Sequence, residues 1–149
     1  MSLLGSMLLE REAIGAVLDI ISRQEDDRFY RNDHRVLFRI LVDLYDGGKP
    51  IDLRLILDEL KVRGELNEVG GAQYLADLVE SVPSAANAEH YARIVRNKSV
   101  LRNLITCNER IRDAAFTQEG DVAELLDEAE RDFFKVTEQR ITNRPDPIK

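Results

Sequence analysis

The sequence predicts an all-α protein, a small globular helical bundle followed by a long antiparallel helical hairpin. Three observations predict it. Apolar residues recur at helical spacing in one segment after another, and no alternating stretch is long enough for a strand. Glycine and proline punctuate residues 1–83 closely, whereas none occurs between Pro83 and Gly120. Charge also reverses along the last part of the chain. Residues 84–116 hold 6 basic and 3 acidic side chains and residues 117–140 hold 3 and 8, so two long arms of opposite sign can lie side by side.

The first segments are short. Leu3–Leu9 is almost wholly apolar, and Ile14, Val17, Leu18 and Ile21 recur at helical spacing in Ala13–Ile21. Gly15 inside that segment weakens a helix or permits close packing. A polar break, Ser22–Arg28, leads through Phe29-Tyr30 to Asn32 and Asp33, either of which can cap a helix. That helix carries Val36, Leu37, Ile40, Leu41 and Leu44 on one face. Gly47-Gly48, with Pro50 beyond, stops it. Asp52 caps a helix to about Val62 with Leu53, Ile56, Leu57 and Leu60 inward, ending at Gly64. Gly70-Gly71 opens another with Tyr74, Leu75, Leu78 and Val79, closed by Pro83. Residues 1–83 are therefore expected to form the bundle.

Residues 84–140 are expected to form the hairpin, and 141–149, with Pro145 and Pro147, an interdomain linker. The first arm reads as one helix over 88–115, about 42 Å long at 1.5 Å per residue. After a break at Thr117–Gly120, Asp121 caps the second arm to about Arg140. Val122, Leu126, Ala129, Phe133 and Val136 step by 4, 3, 4, 3, which predicts a seam. The first arm offers Ile94, Leu101, Leu104, Ile111 and Ala115, with Asn97 and Asn108 in the same stripe, where a polar residue lowers stability but sets register and partner. Tyr91, Val95 and Ile105 make a second stripe, with Val100 between the two, and Leu125 and Phe134 lie outside the second arm's seam. One hairpin cannot cover all of these. Packing on the bundle is one outlet; self-association is the expected one, through Val95, Leu101, Ile105, Leu125, Phe133 and Phe134.

Composition bounds the chemistry. With 149 residues the chain can bury a core without staples. Its net charge of −7 disfavours autonomous binding to nucleic-acid phosphates and argues against a helix-turn-helix DNA binder. No apolar run exceeds four residues, far short of the roughly 20 that a membrane helix needs. The start, Met1-Ser2-Leu3-Leu4, lacks a basic n-region, so no signal peptide is read and a cytoplasmic location is expected. The lone cysteine, Cys107, sits in an apolar helical pattern and reads as a small core residue. His34 and His90 have no metal-ligand spacing around them and read as surface or packing residues. Carboxylates such as Glu124, Asp127 and Glu128 fit a solvated helix face. The only Gly-Lys pair, Gly48-Lys49, is followed by Pro50 and lacks an upstream glycine at P-loop spacing. No catalytic, cofactor-binding or metal-binding residues are assigned.

Several segments carry a resemblance. In order they are Leu3-Leu4-Gly5-Ser6-Met7-Leu8-Leu9; Phe29-Tyr30 with His34-Arg35 and Phe38; Gly48-Lys49-Pro50-Ile51-Asp52-Leu53; Gly64-Glu65-Leu66; Val69 to Leu75; Val82-Pro83-Ser84-Ala85-Ala86-Asn87; Tyr91-Ala92 with Ile94-Val95; and Leu125 to Glu130. Their order and spacing over about 140 residues resemble the N-terminal domain of DnaB-family bacterial replicative helicases. The resemblance implies a collar domain of a hexameric 5'-3' DNA helicase that self-associates as dimers arranged in threes. It implies docking of the primase C-terminal domain, with a helicase loader as a further partner, and ATP and Mg2+ in a motor domain absent from this chain. It also implies an excised domain. Tyr91, Ile111, Phe116 and Gly120, at the hairpin's hinge and tip, are the expected primase contacts; hairpin core is the alternative for them. The helicase-binding domain of a primase and an unrelated helical adaptor remain rival readings. The Val82–Asn87 and Gly70-Gly71 features favour the helicase side.

Overall fold

Each segment with apolar residues at helical spacing contains a helix in the computed structural model, which describes residues 2–117 and 120–142, although the one expected through Ile21 stops at Leu18. The order is α1 (Ser2–Leu9), α2 (Arg11–Leu18), a 3-10 turn (Asp26–Arg28), α3 (Asn32–Asp46), α4 (Leu53–Arg63), α5 (Gly71–Glu80), α6 (Ala88–Thr117) and α7 (Val122–Thr142). Among the described residues there is no strand. Contacts divide the chain into two compact units, Met1–Arg96 and Asn97–Lys149.

In the first unit α1 packs against α2, α3 and α5. Most of α1 is buried, including Gly5 and Ser6. A hydroxyl in such a place needs a partner, and Ser6 Oγ donates to Ser2 O at 2.8 Å. Gly5 has a separate reason. A Cβ there would sit 2.5 Å from Leu78 O and 2.6 Å from Val82 Cγ2, so only glycine lets α1 approach α5 this closely. The inward rows of α3 and α4 are largely those read from the spacing. Val36, Leu37, Ile40, Leu41, Leu44, Ile56 and Leu60 are buried, while Leu53 and Leu57 are half-buried against them. Burying such side chains is worth roughly 1.5–3 kcal/mol each before chain entropy is charged.

The helix ends are local chemistry. Asp52 accepts from Arg54 N and opens α4, and Gly64 closes it in a left-handed conformation at φ 70°. α3 begins differently from the expected cap. Asn32 and Asp33 are its first two residues, the cap is Arg31, and Asp33 accepts from His34 N at 2.9 Å. At the other end Arg11 donates to Tyr45 O at 3.0 Å and to Lys49 O at 3.2 Å, with its guanidinium over the Tyr45 ring. One cation thus ties the end of α3 to the loop after it and favours the negative helix terminus. The polar break is held by Glu25, which accepts from Ser22 N at 2.9 Å and from Arg28 Nη2 at 2.6 Å. Burial works to raise the Glu25 carboxyl, but those donors hold it below its usual range.

The bundle does not end at Pro83. Ala88, Ala92 and Val95, from the first turns of α6, are part of the same core, and the first unit runs to Arg96. Beyond it, α6 continues to Thr117, two residues past the expected end, and α7 reaches Thr142 instead of about Arg140. Gln118, Glu119 and residues 143–149, on which part of the expected break and most of the expected linker fall, lie outside the described residues. Asp121 caps α7 by accepting from Ala123 N.

Candidate assembly surface on the hairpin

The second unit contains the rest of α6 and all of α7. Asn103 donates to Gln139 Oε1 at 3.4 Å, which pairs the two helices antiparallel. Gly120, at φ 91°, turns the chain into α7 through a conformation that costs glycine little.

The less exposed positions define how the arms face each other. On α6 Val100, Leu104, Cys107, Ile111 and Ala114 step by 4, 3, 4, 3, and on α7 Leu125, Ala129, Asp132, Val136 and Gln139 take the same steps; Ser99 and Arg102 on α6 and Thr137 on α7 are also less exposed but lie off these rows. Cys107 and Val136 are buried. This corrects the expected seam. The sequence spacing predicts Val122, Leu126 and Phe133 inward with Ala129 and Val136, and Leu125 outside; the inward row instead passes through Leu125, and Val122, Leu126 and Phe133 are exposed. Both rows have heptad spacing and share Ala129 and Val136. Spacing on one helix therefore cannot choose between them; the partner helix does.

The register decides which apolar residues are left over. Successive residues turn by about 100°. Leu101, Ile105 and Phe116 are rotated from the inward row of α6 by about 100–160° in the direction of chain advance, and Val122, Leu126 and Phe133 by about 60–100° in the same sense on α7. In two antiparallel right-handed helices the same sense of rotation leads to the same broad face. The six apolar side chains therefore lie on the same side of the hairpin, with Leu101, Val122, Leu126 and Phe133 on its broad face and Ile105 and Phe116 turned further toward the rear of α6. Leu101 is 58% exposed, Ile105 57% and Leu126 59%. The other face is polar, with Thr106, Arg110 and Asp113 on α6 and Glu124, Glu128, Arg131 and Lys135 on α7. Asn103 and Gln139 close that side. A one-sided exposed apolar surface of this kind is a candidate interaction surface.

The six expected self-association residues fall into three groups. Leu101, Ile105 and Phe133 lie on the apolar side. Phe134 is exposed but points away from the partner helix, at the rear of α7. Leu125 is half-buried in the inward row. Val95 belongs to the other unit: it is 9% exposed and packs in the bundle core, so its side chain is not available to a surface contact. The second stripe expected on α6 splits here because its first turns are used by the bundle.

The expected partner contacts also divide. Tyr91 is in the first unit, half-buried against the core. Ile111, Phe116 and Gly120 are in the second. Ile111 is in the inward row, whereas Phe116 is 79% exposed with the Arg112 guanidinium 5.5 Å from its ring centre. Of the histidines, His34 is a packing residue. It is buried, stacks on Tyr74 and shares a 2.8 Å hydrogen bond with its hydroxyl. Burial lowers its pKa, against the opposing pull of Asp33. Among the described residues no three His, Cys, Asp or Glu side chains group as metal ligands, and no helix is long and apolar enough to cross a membrane.

Comparison with known proteins agrees with this architecture. The pattern that defines the DnaB-like helicase N terminal domain family matches residues 1–97. The chain is 38% identical over 136 residues to the replicative DNA helicase DnaB of Leifsonia xyli, covering 91% of this chain and 29% of that protein. It is 37% identical over 139 residues to the same helicase of Geobacillus stearothermophilus, covering 93% and 30%. The chain thus spans about a third of the length of these curated relatives. The crystal structure of the N-terminal domain of DnaB helicase from Mycobacterium tuberculosis superposes with a TM-score of 0.83 at 39% identity, over 91% of this chain and 92% of that one. With two-unit helical architecture, family pattern and solved relative in agreement, the chain belongs to the family of DnaB-like helicase N-terminal domains.

Proposed function

We propose that this chain is the collar and assembly domain of a hexameric replicative DNA helicase. It self-associates through the hairpin, as a dimer and as a trimer of dimers in the whole protein, and docks the primase C-terminal domain. The observation that carries this reading is the single apolar side formed by Leu101, Ile105, Phe116, Val122, Leu126 and Phe133. Covering it removes large apolar side chains from water, and a second copy of the same face is available at equal concentration. The module works by geometry, since assembly raises the local concentration of attached motor domains and of bound primase.

In this reading the chain has no catalytic centre. ATP and Mg2+ belong to a motor domain elsewhere in the protein, because Gly48-Lys49 ends α3 instead of opening a phosphate-binding loop. The protein works in the cytoplasm, with a helicase loader as a further partner, and the acidic domain does not grip nucleic acid by itself.

Light scattering on the purified chain tests the core of the reading. Dimers or larger species are expected; a strict monomer at high concentration would sink it. ATP hydrolysis by this chain would overturn the non-catalytic reading. A pull-down with the primase C-terminal domain that stays negative at high protein concentration would remove that partner.

A further inference from the structure

The chain has one Asp-Gly step, Asp46-Gly47, and no Asn-Gly step. An aspartate followed by glycine is open to rearrangement of the backbone, because glycine has no Cβ to shield its nitrogen. In that rearrangement the nitrogen of Gly47 attacks Asp46 Cγ. A C–N bond forms, the amide proton leaves, and one carboxyl oxygen departs as water, which gives a cyclic succinimide. Water then adds at either carbonyl of the ring. Addition at Cγ breaks the new bond and restores aspartate. Addition at the backbone carbonyl breaks the old peptide bond and leaves isoaspartate, with the main chain running through Cγ. One water is lost and one regained, and nothing is oxidised or reduced.

Two contacts hold this step back, one on each reacting group. Gly47 N donates to Asp43 O at 3.0 Å at the end of α3. Attack on Cγ requires the Asp46-Gly47 peptide to turn out of that bond. Arg23, 23 residues earlier in the polar break, holds the carboxylate: its Nε donates to one oxygen and its Nη2 to the other, both at 2.8 Å. The leaving oxygen must carry a proton, and the Arg23 hydrogen bonds hold the Asp46 carboxyl below its usual range while fixing its direction. Burial does not protect either group. The Asp46 side chain is 42% exposed, and Gly47 is exposed as well. Hydrogen bonding alone keeps the two apart.

We propose that Asp46-Gly47 is a modification site, an isoaspartate-forming step at the end of α3, and that Arg23 is the positioning residue that keeps it closed. Rearrangement there reaches beyond one residue. Isoaspartate adds a backbone carbon between Tyr45 and Gly47. The bonds from Gly48 N to Tyr45 O and from Lys49 N to Leu44 O, which finish α3, both span the insertion. The two carbonyls that Arg11 holds together, Tyr45 O and Lys49 O, lie on either side of it. The product belongs to the substrate class of methyltransferases that esterify isoaspartyl carboxyls.

Peptide mapping of the full chain tests this, with aspartyl and isoaspartyl peptides separated by chromatography and identified by mass spectrometry. The folded chain is incubated at mildly acidic pH, well below its Tm. Arg23→Gln is expected to raise the rate of isoaspartate formation at Asp46 by about three- to fivefold, the upper range for an exposed pair with bidentate geometry. Arg39→Gln removes another exposed ion pair, to Asp26 at 3.1 Å, and should leave the rate at Asp46 unchanged. Gly47→Ala in the Arg23→Gln background should suppress the product, since a Cβ then shields the nitrogen. Equal rates at Asp46 in Arg23→Gln and Arg39→Gln would overturn the role of Arg23. A parent chain that forms no isoaspartate at Asp46 even when unfolded in denaturant would overturn the site itself.

Discussion

His34 on α3 and Tyr74 on α5 share a hydrogen bond of 2.8 Å between Nε2 and the phenol, with their rings stacked. The pair ties together two helices that are 40 residues apart in sequence. It also makes the bundle sensitive to pH. Burial lowers the imidazole pKa, so the unfolded chain binds a proton more readily than the folded one once pH falls below the ordinary histidine value of about 6.5. Stability is therefore expected to fall as pH drops through 6.5 toward the lowered folded value and to be flat in this respect above it. Thermal melts between pH 7.5 and 5 check this, and His34→Gln should flatten the slope. A slope unchanged by that substitution would assign it to other groups.

Tyr74→Phe is a milder test of the same contact. It keeps the ring and removes the hydroxyl, leaving a buried imidazole nitrogen without this partner. A loss of about 1–2 kcal/mol is expected, read from denaturant melts.

Gly5→Ala should be more damaging than an alanine in a short helix normally is. The added methyl meets a backbone carbonyl, Leu78 O, which cannot rotate aside, as well as Val82 Cγ2. Over-packing of this kind costs about 1–3 kcal/mol. A lowered Tm with helix content retained is the expected result, and an unchanged or raised Tm would show that α1 and α5 separate freely.

Lysine substitutions on the hairpin should separate face from rear. Ile105→Lys and Phe133→Lys put a charge on the shared apolar side and are expected to weaken self-association by about tenfold or more. Phe134→Lys, at the rear of α7, should do markedly less. Helicity should be intact in all three. Sedimentation equilibrium and circular dichroism measure the two properties separately, and equal effects at Phe133 and Phe134 would count against a one-sided interface.

Val95→Asp should behave as a folding mutant. Its side chain is in the bundle core, so the substitution buries an unpaired carboxylate and is expected to cost about 3 kcal/mol or more. The matching change on the exposed row, Leu101→Asp, should spare the melt of the bundle while weakening association.

Much of this protein was legible one segment at a time. Helical spacing placed α3 through Val36, Leu37, Ile40, Leu41 and Leu44, and Asp52 and Gly64 marked the two ends of α4, because caps and apolar rows are set by residues within one or two turns. The gap in glycine and proline after Pro83 announced a long helix for the same reason. The ordered motifs from Leu3 to Glu130 named the family without any structure.

What required the tertiary structure was every choice between two rows on one helix. α7 offers a seam through Val122, Leu126 and Phe133 and another through Leu125 and Asp132, and both have heptad spacing. Only the position of α6 decides which turns inward, and so which phenylalanine lies on the apolar face. Val95 is the same lesson on α6: its stripe is continuous in sequence, but the bundle core claims its first turns. By itself the sequence determined the helices, their ends and the excess of apolar surface. The assignment of that surface to core, seam or exposed face came from packing, because a helix has several sides and its neighbours come from distant parts of the chain.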